Sequence, residues 1–254
     1  MFRFLDRFAT PLTFLGIFAV WEACCRAFAI PSFLLPKPTE IMTAAIGVDL
    51  SIWAKHIWST VRVAGMGYAA AILVGVPLAV ALATSRVMAK TLYPVLIVVQ
   101  STPVVAVAPI IVVTLGAGDM PRVVITFLIA FFPIVVSTTT GLLATPEELI
   151  ELSRSLRAGF RREVLDIRLP YALPYLFSAA RISVTLSVIG AVVAEFVAAE
   201  AGLGFYIAFS TSFFKIPQAF AALVVLVLLS LALFRLTAWV QRRFAPWSLP
   251  KSER

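Results

Sequence analysis

From Pro217 to Trp239 the chain runs for 23 residues with a single charge, Arg235. A segment this long and this apolar matches the hydrocarbon thickness of a bilayer, which takes about 20 residues of helix. Five more segments have the same character: Pro11 to Ala29, Val61 to Thr84, Leu92 to Leu115, Val123 to Leu143 and Ala172 to Ala198. Inside lipid every backbone N–H and C=O must be paired within the segment, so such runs predict helices. The fold class that follows is all-α, a polytopic membrane bundle of about six transmembrane helices. Composition excludes the main alternative, because 61% of the 254 residues are hydrophobic and 13% charged, against about 45–50% and 25% in soluble domains. A single membrane domain over residues 1–254 is expected, with a core at 61–240, and neither a two-domain soluble enzyme nor a disulfide scaffold fits.

The connections carry the remaining information. Arg3 and Arg7 precede the first run like a signal peptide, but no small-residue cleavage site follows, so a retained first span is expected. Glu22 and Arg26 in that run stand four apart, the spacing at which an acid and a guanidinium meet on one helix face. Pro31, Pro36 and Pro38 break the next stretch, and Trp53 and Trp58 suit a headgroup region, so Ile30 to Thr60 reads as an interfacial segment. Residues 145–170 form a polar loop that holds ten charged side chains. Thr145-Pro146-Glu147-Glu148 reads as a helix start, with a capping hydroxyl, a first-turn proline and acids at the positive dipole end.

Charge sets the topology. With both termini on one side, 13 of the 21 Lys and Arg residues fall there, including Arg86, Lys90, the loop arginines, Arg242, Arg243, Lys251 and Arg254; six fall opposite, and Arg181 and Arg235 lie within spans. The cation-rich side is the cytoplasmic one. The net charge of +8 is thereby accounted for as topology, without nucleic acid. Cys24 and Cys25 are neighbours that cannot staple distant elements, and His56 has no partner at ligand spacing, so no metal site is expected.

Within the polar loop, Glu151-Leu152-Ser153, then Arg157, then Ile167-Arg168-Leu169-Pro170 resemble the cytoplasmic signature of ABC importer permeases: Glu-Ala-Ala, three residues, Gly, nine residues, Ile, one residue, Leu-Pro. Arg157 stands where the signature has glycine, and Gly159 two residues later suggests a shifted turn. Trp21-Glu22, Leu35-Pro36-Lys37-Pro38, His56 with Ser59 and Arg62, Gly75-Val76-Pro77, Pro103 to Pro109, Phe132-Pro133, Glu195 and Gly202-Leu203-Gly204 extend the likeness over nearly the whole chain. They resemble the nitrate/sulfonate/taurine branch of the binding-protein-dependent permeases.

The resemblance implies a type I importer core in a bacterial cytoplasmic membrane, multi-pass with both termini inside. It implies two permease copies, two cytoplasmic ATP-binding subunits holding ATP and Mg, and a periplasmic or lipid-anchored solute-binding protein. The chain itself is expected to bind no cofactor and to have no catalytic residue, and it carries no Gly-x-x-x-x-Gly-Lys-Ser/Thr phosphate loop. Glu151, Leu152, Ser153, Arg157, Gly159, Ile167, Leu169 and Pro170 would form the coupling loop, with Leu152 and Ile167 as apolar knobs and Pro170 ending the loop. Polar groups in spans are costly unless they face a bundle interior or water, so Gln100, Ser101 and Thr102, then Thr138, Thr139 and Thr140, then Ser183, Thr185 and Ser187 are candidates for the translocation path. The alternative for these hydroxyls is bonding to their own backbone or to a neighbouring helix. Pro103 and Pro109 would let the third span bend. Glu195, near the outer end of the fifth span, reads either as a gate or interhelical hydrogen-bonding group or as an exposed interfacial acid. A small organic anion such as a sulfonate is the expected solute, with a neutral vitamin or pyrimidine precursor as the alternative. A lone channel or carrier would want acids at mid-membrane, where this chain has none, and a membrane enzyme would want a His, Cys or paired-acid constellation.

Overall fold

A computed structural model describes residues 2–249, with side chains from residue 11 onward. The side chains of Arg3 and Arg7, and Lys251 and Arg254 entirely, lie outside the described residues. The described chain is helical throughout its spans: α1 (Phe2–Ala27), α2 (Pro38–Ile46), α3 (Leu50–Thr84), α4 (Arg86–Ser101), α5 (Val104–Leu115), α6 (Asp119–Leu143), α7 (Glu147–Ser155), α8 (Phe160–Arg162), α9 (Leu169–Ala198), α10 (Leu203–Ser212) and α11 (Ile216–Phe244). Among the described residues, four helices are long and apolar enough to cross a membrane: α3, α6, the unit running from α8 through α9, and α11. The apolar pair α4 and α5, bent by 95° at the break between them, is a broken span or a re-entrant loop.

The packed centre is α6, which lies against α9 and α3 along most of its length. Two apolar clusters fill it, one around Val63, Ala191, Leu203 and Ala222, the other around Ala71, Ala130, Ile134 and Val135. Small residues permit this approach, as helices in lipid gain their association from close backbone contact. A Cβ on Gly190 of α9 would stand 2.9 Å from Thr126 Cα of α6, closer than real contacts allow.

Two expectations are corrected, and the bend expected at Pro103 is present. The second span begins at Leu50, not Val61, because the Asp49 carboxylate accepts the Ser51 N–H at 2.9 Å and caps the helix there. Trp53 is therefore a core residue, 8% exposed with its indole N–H donated to Ala45 O at 3.1 Å, whereas Trp58 is exposed. The third span is two helices. Thr102 precedes Pro103, and the proline drives it to extended backbone (φ −76°, ψ 125°). Ser101 and Thr102 turn their hydroxyls back onto Ile97 O at 2.8 Å and Val98 O at 3.0 Å, carbonyls of their own helix. Finally, Thr145 does not cap α7; its hydroxyl bonds back to Leu142 O at 3.1 Å, closing α6, and Pro146 takes the cap position.

The pair expected in α1 forms, with Arg26 Nε donating to Glu22 Oε1 at 2.7 Å. Glu22 also accepts the Thr39 N–H at 3.2 Å, so it joins α1 to the start of α2 as well as balancing a charge.

Candidate functional site

The polar loop folds as α7, a tight turn, α8 and one π-helical turn over Glu163–Arg168 that runs into α9. The π turn has a local cause. Pro170 lacks an N–H and its ring would collide with the carbonyl four residues back, and widening the helix relieves both. Leu169 N–H then bonds to Val164 O, five residues back. Pro170 accordingly opens α9 within its first turn rather than terminating the loop ahead of it. The wide turn brings Arg168 onto Glu163: Arg168 donates Nε at 2.9 Å and Nη2 at 2.8 Å to Glu163 Oε1, and Arg154 Nε reaches Oε2 at 3.5 Å from the end of α7. Glu163 is 8% exposed and fastens the two arms of the loop together. Sequence reasoning missed this role because a spacing of five places two residues on one face only where the helix is π.

Arg157 occupies the signature's glycine position with φ +54°, the left-handed region that costs an L residue about 1–2 kcal/mol. Its N–H bonds to Arg154 O at 2.9 Å and the next N–H, of Ala158, to Ser153 O at 2.9 Å, the paired bonds of a Schellman end. The turn is therefore not shifted to Gly159, which has φ −70° and caps α8. Arg157→Gly is expected to stabilise the turn by about 1 kcal/mol, read as slower amide hydrogen exchange over residues 153–163; unchanged or faster exchange would contradict the assignment.

Ile150, Ser153 and Val164 face inward, whereas Leu152 (55% exposed), Leu156 (74%) and Phe160 (62%) stand out on an otherwise charged loop, with Glu151 exposed beside them. Leu152 and Leu156 border a cavity of about 440 Å³ whose other side is Ile167 and Pro170. Leu169 is half-buried at the start of α9.

At the opposite end of the bundle, a second group of residues comes together that lies scattered in the sequence. Arg62 of α3 and Arg122 of α6 both pair with Asp119, and Arg122 Nε donates to Gly118 O at 3.0 Å. With Lys55, Trp58 and Glu200 they border a cleft of about 720 Å³. Beneath it a buried polar cluster holds the start of α10. Gly202 N–H bonds to His56 Nδ1 at 3.1 Å, Leu203 N–H to Thr60 Oγ1 at 2.8 Å and Gly204 N–H to Glu195 Oε2 at 2.7 Å, while Thr60 donates to Glu195 Oε1 at 2.8 Å. Gly202 has φ +131°, and a Cβ there would fall 2.1 Å from Glu195 Cδ, so only glycine fits. Glu195 is 2% exposed: it is an interhelical hydrogen-bonding group and not an exposed interfacial acid.

The span hydroxyls divide. Thr138, Thr139, Ser183 and Ser187 have no exposed surface, and Thr139 and Ser187 bond to carbonyls of their own helices, Val135 O and Val184 O, both at 2.8 Å. They sit in helix contacts, with no exposed surface in this conformation. Thr140 and Thr185 likewise bond to Val136 O and Arg181 O. Gln100, Ser101 and Thr102 are exposed beside the break between α4 and α5.

Residues 71–247 match the family described as the binding-protein-dependent transport system inner membrane component. The chain is 32% identical over 236 residues to a formylaminopyrimidine transport permease of Halalkalibacterium halodurans, covering 93% of this chain and 94% of the relative. It is 34% identical to a riboflavin transport system permease of Chloroflexus aurantiacus, covering 96% and 94%, and 24% identical to a taurine transport system permease of Escherichia coli, covering 91% and 86%. Its fold superposes on an inward-facing form of the MetNI methionine ABC transporter with a TM-score of 0.67 at 24% identity, over 76% of this chain and 96% of that one. A broken third span, a polar two-helix loop before α9 and these matches together establish that the chain belongs to the binding-protein-dependent family of ABC importer permeases, the membrane-spanning subunits of solute import systems.

Proposed function

We propose that two copies of this chain form the passage of an ATP-driven importer for a small organic solute, with both termini and the 147–169 loop in the cytoplasm. The observation that carries the reading is the exposed ridge of Leu152, Leu156 and Phe160 on a loop rigidly closed by Glu163. Exposed apolar side chains on a loop this charged mark a docking surface. A cytoplasmic ATP-binding subunit is the proposed partner, one for each permease copy, and it would hold ATP and Mg. Glu151, Leu152, Ser153, Arg157, Gly159, Ile167, Leu169 and Pro170 form the lever; because α8, the π turn and α9 are continuous, a push on the loop tilts α9 as a rigid body. ATP binding then shifts the population between inward- and outward-open states.

The cleft opposite, bordered by Lys55, Arg62 and Arg122, is the proposed arrival point for solute released by an external binding protein. Gln100, Ser101 and Thr102 at the break are proposed to face the passage between the two copies. Lys55, Arg62 and Arg122 outnumber the acids there, Asp119 shared by the two arginines and Glu200 at the border, and this small positive excess favours an organic anion such as a sulfonate. A second reading, a neutral pyrimidine or vitamin precursor, is favoured by the 32% and 34% identity to the formylaminopyrimidine and riboflavin permeases. Proteoliposomes holding the permease, its ATPase and its binding protein test both. ATP-dependent uptake of radiolabelled taurine that a formylaminopyrimidine does not inhibit supports the anion; the reverse pattern supports the precursor; ATP-independent uptake by the permease alone would overturn the importer reading.

A further inference from the structure

We infer that Arg122 is the anion-binding residue of an outer subsite that takes the oxyanion head of a short-chain organic monoanion. The inference rests on the reading of the cleft as the point where solute arrives, and it adds which group receives the solute and what charge the solute carries. Arg122 borders the cleft of about 720 Å³ and is 8% exposed. Two of its nitrogens are spent, since Nε donates to Gly118 O at 3.0 Å and Nη2 pairs with Asp119. Nη1 is buried and has no acceptor among the described residues. The buried acid beneath the cleft does not supply one, because Glu195 commits Oε1 to Thr60 and Oε2 to Gly204. A guanidinium donor left unpaired out of water is costly, so its acceptor is to be sought in a ligand.

The start of α6 points to the same kind of ligand. The helix begins at the cleft, where Gly118 holds the cap position and no side chain bonds to the first N–H groups. An uncapped end of a 25-residue helix adds positive potential beside Arg122 and favours an anion there. Asp119 meets part of that demand. Its carboxylate is shared between Arg62 and Arg122, and this clamp orients both guanidinium groups before any ligand arrives, which lowers the ordering cost of binding. With Lys55 included, three cations face two acids, Asp119 and Glu200, so one negative charge balances the cleft. The second charge of a dianion would be desolvated without a counter-ion. Trp58 and the methyl groups of Ala117, Ala198, Ala199 and Ala201 form the apolar part of the lining. They suit a short carbon chain behind the charged head.

Equilibrium binding of radiolabelled methanesulfonate to the full chain in nanodiscs tests the subsite. Dimethyl sulfone and sulfate serve as competitors, because both keep a tetrahedral sulfur while carrying no charge and two charges. One methanesulfonate per chain is expected, with each competitor at least about tenfold weaker. Arg122→Gln is expected to weaken methanesulfonate at least about tenfold. Ala117→Trp, which fills the cleft from an exposed position and leaves the Arg122 bonds in place, is expected to abolish binding, and Arg86→Gln, outside the cleft at the start of α4, to bind like the parent. Should Arg122→Gln not fold, Ala117→Trp decides alone. Competition by the sulfone or by sulfate as strong as by unlabelled methanesulfonate, or undiminished binding in Ala117→Trp or in a folded Arg122→Gln, would each overturn the subsite. So would a lack of methanesulfonate binding, including the case in which Arg122→Gln instead weakens capture of the external binding protein and the cleft receives an acid of that partner. ATP-dependent uptake is read separately: methanesulfonate binding without it keeps the subsite and overturns the importer, whereas ATP-dependent uptake of a neutral precursor without methanesulfonate binding keeps the importer and overturns the subsite.

Discussion

Glu195→Ala is expected to lower the melting temperature of the detergent-solubilised chain by roughly 10 °C, equivalent to about 3–5 kcal/mol. The carboxyl group sits where three elements meet, accepting Gly204 N–H at the start of α10 and the hydroxyl proton of Thr60 on α3. Alanine leaves a buried N–H with no acceptor and a cavity under Gly202, in a region where water does not compensate. Glu195→Gln separates hydrogen bonding from packing. Its amide oxygen can still accept from Gly204, and Thr60 can turn its proton to His56 O, 3.2 Å away, so less than half of the loss is expected. A melting temperature within about 2 °C of the parent for the alanine variant, or a glutamine variant as unstable as the alanine one, would show that the cluster does not anchor α10.

Leu152→Asp combined with Leu156→Asp is expected to leave the permease folded and to weaken its association with the ATP-binding subunit at least about a hundredfold. Both side chains are more than half exposed, so the free chain gives up little by the change. In the complex each carboxylate would be buried without a partner, and a penalty of about 1.5–3 kcal/mol per site is a conservative figure for a desolvated charge. Surface-immobilised ATPase reads the affinity directly, and circular dichroism of the variant confirms that the helices persist. Affinity unchanged within about twofold would remove the ridge from the docking surface. Loss of helical signal would instead show that these leucines support the loop from within.

The membrane class was legible because lipid enforces it: a long apolar run has no other stable form than a helix with its backbone bonds internal. The loop was legible for a different reason, since Glu151, Ile167, Leu169 and Pro170 agree on one register at both ends. Boundaries set by single side chains were not. The helix start at Leu50 depends on Asp49 capping in preference to Trp53 seeking the headgroups, and the sequence offers both. The burial of Thr138, Thr139, Ser183 and Ser187 was not legible for the same reason, because a hydroxyl packed against a neighbouring helix and one that faces water look identical until that helix is in place. Arg62, Asp119 and Arg122 were overlooked as a group, since α3 and α6 are joined through two other helices and nothing in their spacing announces the contact. Arg157 misled in an instructive way: a glycine position held by arginine suggested a displaced turn, whereas the Schellman bonds from Arg157 and Ala158 keep the geometry and the residue tolerates φ +54°.

Residues 147–169 are proposed to transmit the work of ATP to the spans. Co-purification with the ATP-binding subunit tests it most directly, comparing the intact chain with one in which this segment is replaced by a Gly/Ser linker of equal length. The intact chain is expected to retain the ATPase through size exclusion, and the linker version, eluting as a folded species, to lose it. Equal retention by both would contradict the account.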